Sequence, residues 1–151
     1  RVLFRSRQMR DAMAIYQDLL DRMGKALVSG DAAAFLRHVA LPCTIGTETE
    51  TIVIDRPDMA RRHFAGVHAA LRAHNVDAYT RIARSAVFTG ADRIRGRHAT
   101  VITSGGKLVA PRFENEMEIV LSDGTWGLTH VHHHTRYVSW PDVLPIGGQS
   151  A

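Results

Sequence analysis

The second half of the chain constrains the fold most. From Asp77 onward, segments of alternating polarity follow one another with no helical stretch between them, roughly Asp77–Thr89, Arg93–Thr103, Leu108–Ser122 and Thr125–Tyr137. Such a succession pairs as antiparallel hairpins, and the dipeptides Gly105-Gly106 and Asp123-Gly124 are the residues that two-residue hairpin turns require. A turn of fixed length also fixes the register. Taken as turn centres, they predict Ile102 opposite Val109, Thr100 opposite Pro111, His98 opposite Phe113 and Gly96 opposite Asn115. Beyond the second turn they predict Leu121 opposite Trp126, Ile119 opposite Leu128, Met117 opposite His130, Asn115 opposite His132 and Phe113 opposite His134. On the other sheet face this register sets Arg97 against Glu114 and Arg95 against Glu116, with His133 beside Glu114, and opposite charges across a ladder support it. A β-bulge would shift every assignment beyond it by one.

The first half reads as helices. Met9, Met13, Tyr16, Leu19, Leu20, Met23 and Leu27 recur at helical spacing and predict an amphipathic helix over 7–28. Gly30 stops it, and Asp31 caps a short second helix over 32–39, which Pro42 ends. Thr44–Thr47 and Thr51–Ile54 alternate as a short hairpin. Asp55 and Pro57 then open a third helix carrying Ala60, Phe64, Val67 and Leu71 on one face and running to His74-Asn75. Helices first and strands last imply an α+β fold with the helices segregated to one face of the sheet. The expected domain is 7–140, with irregular ends at 1–6 and 141–151.

With 151 residues, 45% of them hydrophobic, the chain supports one core and is short for two. No apolar run has membrane-spanning length and no secretory signal opens the sequence, so a soluble, cytoplasmic protein without membrane partners is expected. Cys43 is the single cysteine, which excludes an intrachain disulfide and suits a reducing compartment. The net charge of +4 and the arginines Arg1, Arg5, Arg7 and Arg10 raise the question of nucleic acid. The other arginines are interleaved with acids and no nucleic-acid-binding motif follows, so a solvated basic face is the preferred reading.

In the register above, one sheet face starts apolar, with Leu121, Trp126, Ile119 and Leu128, and turns polar at His98, Asn115, His130, His132 and His134. A polar patch on the face that carries the core is what a pocket requires. The expected lining is His98, Asn115, His130, His132, His134, Phe113 and Met117, with Tyr16 approaching from the first helix. His132 or His130, oriented by Asn115, is the candidate acid-base residue, because imidazole titrates near neutral pH. Alternate histidines can also hold a transition metal, but this register brings no carboxylate to them. A hydrogen-bonded lining is therefore favoured, and neither metal nor cofactor is assigned. Cys43 is read as a small buried hydrophobe. Arg81 or Arg84 reaches the cavity, depending on whether the turn at Gly90-Ala91-Asp92 holds two or three residues.

The order of elements, the junction Ala26-Leu27-Val28-Ser29-Gly30-Asp31 and the segment Asp123-Gly124-Thr125-Trp126-Gly127-Leu128-Thr129-His130 resemble the SnoaL-like branch of the nuclear transport factor 2-like superfamily, over about Arg10 to Tyr137. The resemblance implies a cone: a curved antiparallel sheet with three N-terminal-half helices on its concave face, a pocket between them, and a homodimer pairing through the sheet. It implies a small-molecule ligand but no particular reaction, since members include isomerases, dehydratases, cyclases, epoxide hydrolases and plain binders. Aligned on Gly30-Asp31, the catalytic tyrosine of the ketosteroid isomerase relatives falls near Met23 and their general-base aspartate near Thr47. A thioether donates no hydrogen bond and a threonine hydroxyl is no base at neutral pH, so that dyad is excluded. The sequence thus predicts a pocket that binds a small, largely apolar ligand, with isomerase-, dehydratase- or cyclase-type acid-base chemistry by the histidines as the alternative.

Overall fold

The computed structural model describes residues 2–135. The side chains of Met9, Arg1 and Arg5, the continuation of the last strand to Tyr137 and the tail from Trp140 lie outside the described residues. Three helices, α1 (Val2–Ser29), α2 (Ala32–Leu36) and α3 (Pro57–Ala73), accompany the strands β1 (Val39–Gly46), β2 (Thr51–Ile54), β3 (Ala78–Gly90), β4 (Arg93–Ser104), β5 (Lys107–Leu108), β6 (Phe113–Ser122) and β7 (Thr125–His133). The sheet runs β2-β1-β7-β6-β4-β3, with the short β5 on β4.

Every pairing is antiparallel except that of β1 with β7, so the sheet is mixed and not wholly antiparallel as predicted. Parallel neighbours need a long crossover, and all the chain between β1 and β7 supplies it. The helix signals are used locally. Gly30 adopts φ +76° after α1, and Asp31 accepts a hydrogen bond from the Ala34 N–H at 3.1 Å to start α2. α2 ends at Leu36, before the predicted Val39, which opens β1. Pro42 lies inside that strand and does not end a helix: having no N–H to donate, it falls in the stretch between Val39 and Thr44 where the pairing with β7 is irregular.

α1 lies along β3 and buries Tyr16, Leu19, Leu20 and Met23 against Ile94, Met117, Ile119, Leu128 and Val131. A second cluster joins Leu27, Phe64, Val67, Leu71, Ile102 and Phe113. Full burial of one such side chain contributes about 1.5–3 kcal/mol, so these two clusters hold the helices on one sheet face. Two glycines permit the close approach. A Cβ on Gly24 would meet the Tyr79 carbonyl oxygen at 2.7 Å, and a Cβ on Gly96 would meet the Tyr16 ring at 2.4 Å. At the outer edge of β3, the Gln17 side chain donates to the Arg81 carbonyl and accepts from the Ala83 N–H, each at 2.8 Å.

Candidate functional site

The hairpins position the site residues, and three departures from ideal pairing set their partners, one of the three reversing the way they face. After the Gly105-Gly106 turn the chain leaves the ladder at Val109, passes Pro111, and rejoins it at Phe113, opposite Thr100. His98 therefore faces Asn115, and Gly96 faces Met117, two residues away from the predicted partners. A shift of two preserves the faces, so His98, Asn115, Phe113 and Met117 share the helix-covered face as expected. On the outer face Arg97 and Arg95 meet Glu116 and Glu118 in place of Glu114 and Glu116.

The second departure reverses a set of assignments. Leu121 pairs with Trp126 and Ile119 with Leu128 as predicted, but a bulge between Glu118 and Ile119 leaves Thr129 as the extra residue, its hydroxyl bonded to the Glu118 carbonyl at 3.1 Å. Beyond it, Asn115 pairs with His133, Glu116 with His132 and Glu118 with His130. His133 thus joins the inner face. His130 and His132 turn to the helix-free face with Glu116 and Glu118, and His134, just past β7, lies near Glu48 and Glu116, so these three do not meet His98 and Asn115. The third departure is a pair of bulges in β3 that cancel, around Arg84 and Thr89. Because they cancel, Arg81 keeps the inward direction that the two-residue turn at Ala91-Asp92 gives it, and Arg84 lies outside, 3.0 Å from Glu114.

The inner face carries two hydrogen-bonded polar sets side by side, since His98 and Asn115 are opposite one another in the ladder. The Tyr16 hydroxyl lies 2.7 Å from His98 Nδ1. The Thr100 hydroxyl donates to Asn115 Oδ1 at 2.6 Å, and Asn115 Nδ2 donates to His133 Nδ1 at 2.6 Å, which places the proton of a neutral His133 on Nε2. Tyr16, His98 and Asn115 are each 0% exposed. Burial, reinforced by the Arg81 charge and by His133, pushes the His98 pKa down to about 2, and burial with Arg81 and the neighbouring histidines takes His133 down to about 3. Burial alone lowers His63, on α3, to about 4, and desolvation raises the Tyr16 phenol. Arg81 is buried, donates from Nη2 to the Leu20 carbonyl at 3.0 Å, and stacks its guanidinium 5.5 Å from the Tyr79 ring centre. Among the described residues no carboxylate pairs with it, and its Nε, like His98 Nε2, has no hydrogen-bond partner.

Thr100, His133, His63 and Arg81 join a cluster from which sequence reasoning had omitted the first three. His63 was legible, three residues after Ala60 and four before Val67 on the buried face of α3; His133 was hidden by the bulge. Met23, 1% exposed, and Thr47 sit at the positions matched to the isomerase dyad. The Thr47 hydroxyl accepts from the Glu50 and Thr49 N–H groups at 3.1 and 3.3 Å, which is a turn's bonding pattern. Cys43 is buried, and burial raises its thiol to about 12.

The helix-free face holds a groove of about 660 Å³ lined by Thr44, Gly46, Thr51, Arg95, Arg97, Glu116, Glu118, His130 and His132 among others. Its charges are largely paired: Arg93 and Arg95 lie 2.6 and 3.7 Å from Glu118, and Arg97 lies 3.7 Å from Glu116. His134 stands between two carboxylates, with Nδ1 3.4 Å from Glu48 and Nε2 3.6 Å from Glu116, and its ring centre is 4.6 Å from that of His132.

This arrangement of three helices on one face of a mixed sheet recurs in solved structures. An NTF2-like protein with a cystatin-like fold from Novosphingobium aromaticivorans superposes with a TM-score of 0.64 at 17% identity, over 86% of this chain and 85% of that one. The chain has the nuclear transport factor 2-like fold. Two further proteins share the NTF2-like arrangement, each with a TM-score of 0.57 at 17% identity. One, provisionally named a ketosteroid isomerase, is from Shewanella frigidimarina and is matched over 77% of this chain and 91% of its own. The other, provisionally named an aromatic ring hydroxylase, is from N. aromaticivorans and is matched over 82% and 88%. No family model and no curated protein sequence matches the chain. Among the described residues no helix is long and apolar enough to cross a membrane.

Proposed function

We propose that this chain, acting as one domain over residues 7–140, binds a small, largely apolar molecule between the helices and the sheet, in the manner of the SnoaL-like branch. One observation carries this reading: on the helix-covered face, Arg81 Nε and His98 Nε2 are buried without a hydrogen-bond partner among residues whose other polar groups are bonded. Buried polar groups are nearly always satisfied, and an unpaired one inside a core costs about 1–3 kcal/mol. A buried guanidinium whose Nε has no partner, and which makes no ion-pair contact among the described residues, favours a ligand that brings an acceptor of its own, a carboxylate or a carbonyl. The apolar surroundings, Met117, Phe113, Ile94 and Leu20, suit the remainder of such a molecule.

Binding is preferred over acid-base turnover at this cluster because a general base works best when its pKa lies near the operating pH. His98 and His133 stay neutral far below neutrality, which suits hydrogen bonding and not proton transfer. The paired arginines of the helix-free face leave no unbroken basic stripe, which argues against nucleic acid as partner. That same face exposes Val53, Ile82 and Val87, which supports a homodimer through the sheet. The single buried thiol suits a cytoplasmic setting.

Native mass spectrometry of the purified chain, followed by extraction of any retained molecule, tests the reading. A carboxylate- or carbonyl-bearing adduct is expected on the wild type and not on Arg81→Met, with His98→Phe weakened. Absence of an adduct, together with no thermal shift from any small hydrophobic acid or ketone, would sink it.

A further inference from the structure

The bulge that removes three histidines from the inner face brings two of them to carboxylates. Glu48, His132 and His134 each offer a ligand atom, and these atoms lie within 4.8 Å of one another. We propose that these three residues form a divalent transition-metal site of the zinc class on the helix-free face, independent of the inner ligand site.

The donor set decides the class. Two imidazoles and one carboxylate suit zinc and its neighbours, whereas magnesium and calcium prefer all-oxygen sites. Tetrahedral zinc, with bonds of about 2.0–2.1 Å, holds its ligand atoms roughly 3.4 Å apart. The His134 Nδ1 to Glu48 Oε1 separation is already 3.4 Å. The backbone holds both residues in place: the Glu48 N–H donates to the Thr135 carbonyl at 3.1 Å and the His134 N–H to the Glu114 carbonyl at 2.9 Å. Gly46 leaves room for the third ligand, because a Cβ there would stand 3.2 Å from His132 Nδ1.

A second observation points the same way. A metal-bound histidine usually gives its other ring N–H to a carboxylate, which fixes the tautomer and raises the basicity of the ligating nitrogen. With Nδ1 of His134 turned to Glu48, its Nε2 lies 3.6 Å from Glu116. Glu116 is therefore the positioning residue of the site. Three protein ligands leave a coordination position for water or for a donor atom of a molecule in the groove that His132 lines.

The test uses the untagged full chain, stripped of metal by chelator and titrated with Zn²⁺ against a chromophoric competitor, and with Co²⁺ for its ligand-field absorption. One Zn²⁺ per chain and a tetrahedral Co²⁺ spectrum are expected. His132→Gln, His134→Gln and Glu48→Gln should each weaken binding more than ten-fold, and Glu116→Gln about ten-fold. These residues are partly or wholly exposed, so each variant should keep the wild-type circular dichroism; one that does not is replaced by the Ala substitution. Absence of saturable Zn²⁺ binding by the wild type would overturn the proposal, as would undiminished affinity in His132→Gln or His134→Gln.

Discussion

Substituting Gly96 by alanine should unseat Tyr16. The added Cβ would stand 2.4, 2.5 and 2.7 Å from Cε1, Cζ and Cδ1 of the ring, all well inside van der Waals contact. The ring cannot yield cheaply, because it is 0% exposed and its hydroxyl is bonded to His98 Nδ1 at 2.7 Å. Overpacking of a filled core costs about 1–3 kcal/mol. Breaking a buried hydrogen bond and stranding its partners costs about 1–3 kcal/mol more. The loss of glycine's freedom in the unfolded chain offsets about 0.4–1 kcal/mol. The net expectation is a destabilisation of roughly 2–4 kcal/mol. Urea unfolding should show it as a lower midpoint with an unchanged slope. In a Tyr16→Ala background the same substitution meets no ring, and its cost should drop below about 1 kcal/mol. Equal costs in the two backgrounds would refute the argument, since the strain would then not reside in the Gly96–Tyr16 contact.

Acid should destabilise the fold unusually early. His63, His98 and His133 hold folded pKa values of about 4, 2 and 3 against an unfolded value of 6.5. Above pH 6.5 neither state is protonated at these sites and stability is full; below it the unfolded chain alone takes up protons, at about 1.4 kcal/mol per pH unit for each histidine. Urea midpoints should therefore fall steeply from pH 6.5 toward 4, and His98→Asn should flatten the slope by about a third; a profile level between pH 6.5 and 5 would contradict the burial of neutral imidazoles. Cys43 should resist thiol reagents in the native protein and react fully in denaturant, because thiolate is the reactive form and burial suppresses it; complete native-state labelling within minutes would show the site to be open. Val87→Glu on the helix-free face should shift the chain from dimer to monomer in light scattering without altering its circular dichroism, and a monomeric wild type would remove the dimer from the proposal.

The legibility of this fold varies with the range over which its signals act. Helix periodicity is local, and Tyr16, Leu20, Met23, Phe64 and Leu71 occupy the buried faces that their spacing predicts. The Asp123-Gly124 turn fixes its neighbours for as long as pairing is regular, through Ile119 and Leu128. Thr129 then bulges out, its hydroxyl bonded to the Glu118 carbonyl, and nothing in the local alternation of His130 to His134 distinguishes the two outcomes. The same limit bears on Arg81, which keeps the direction set by the two-residue turn at Ala91-Asp92 only because the two bulges between them cancel. Pro111 is the one local mark of the two-residue slip in β6, since it cannot donate to a ladder. The parallel partnership of β1 with β7 joins residues far apart in the sequence, such as Val39 and Leu128, beyond the reach of any turn or period.

The Gln17 carboxamide has a bearing on the behaviour of the protein in crowded solution. β3 is the last strand on its side of the sheet, and a bare strand margin offers its peptide groups to any passing chain, which is a route to fibrous aggregation. Gln17 answers one N–H and one C=O of that margin with an amide of its own, so α1 acts there as a surrogate neighbouring strand. A single side chain in a helix thereby helps decide whether this sheet ends or keeps growing.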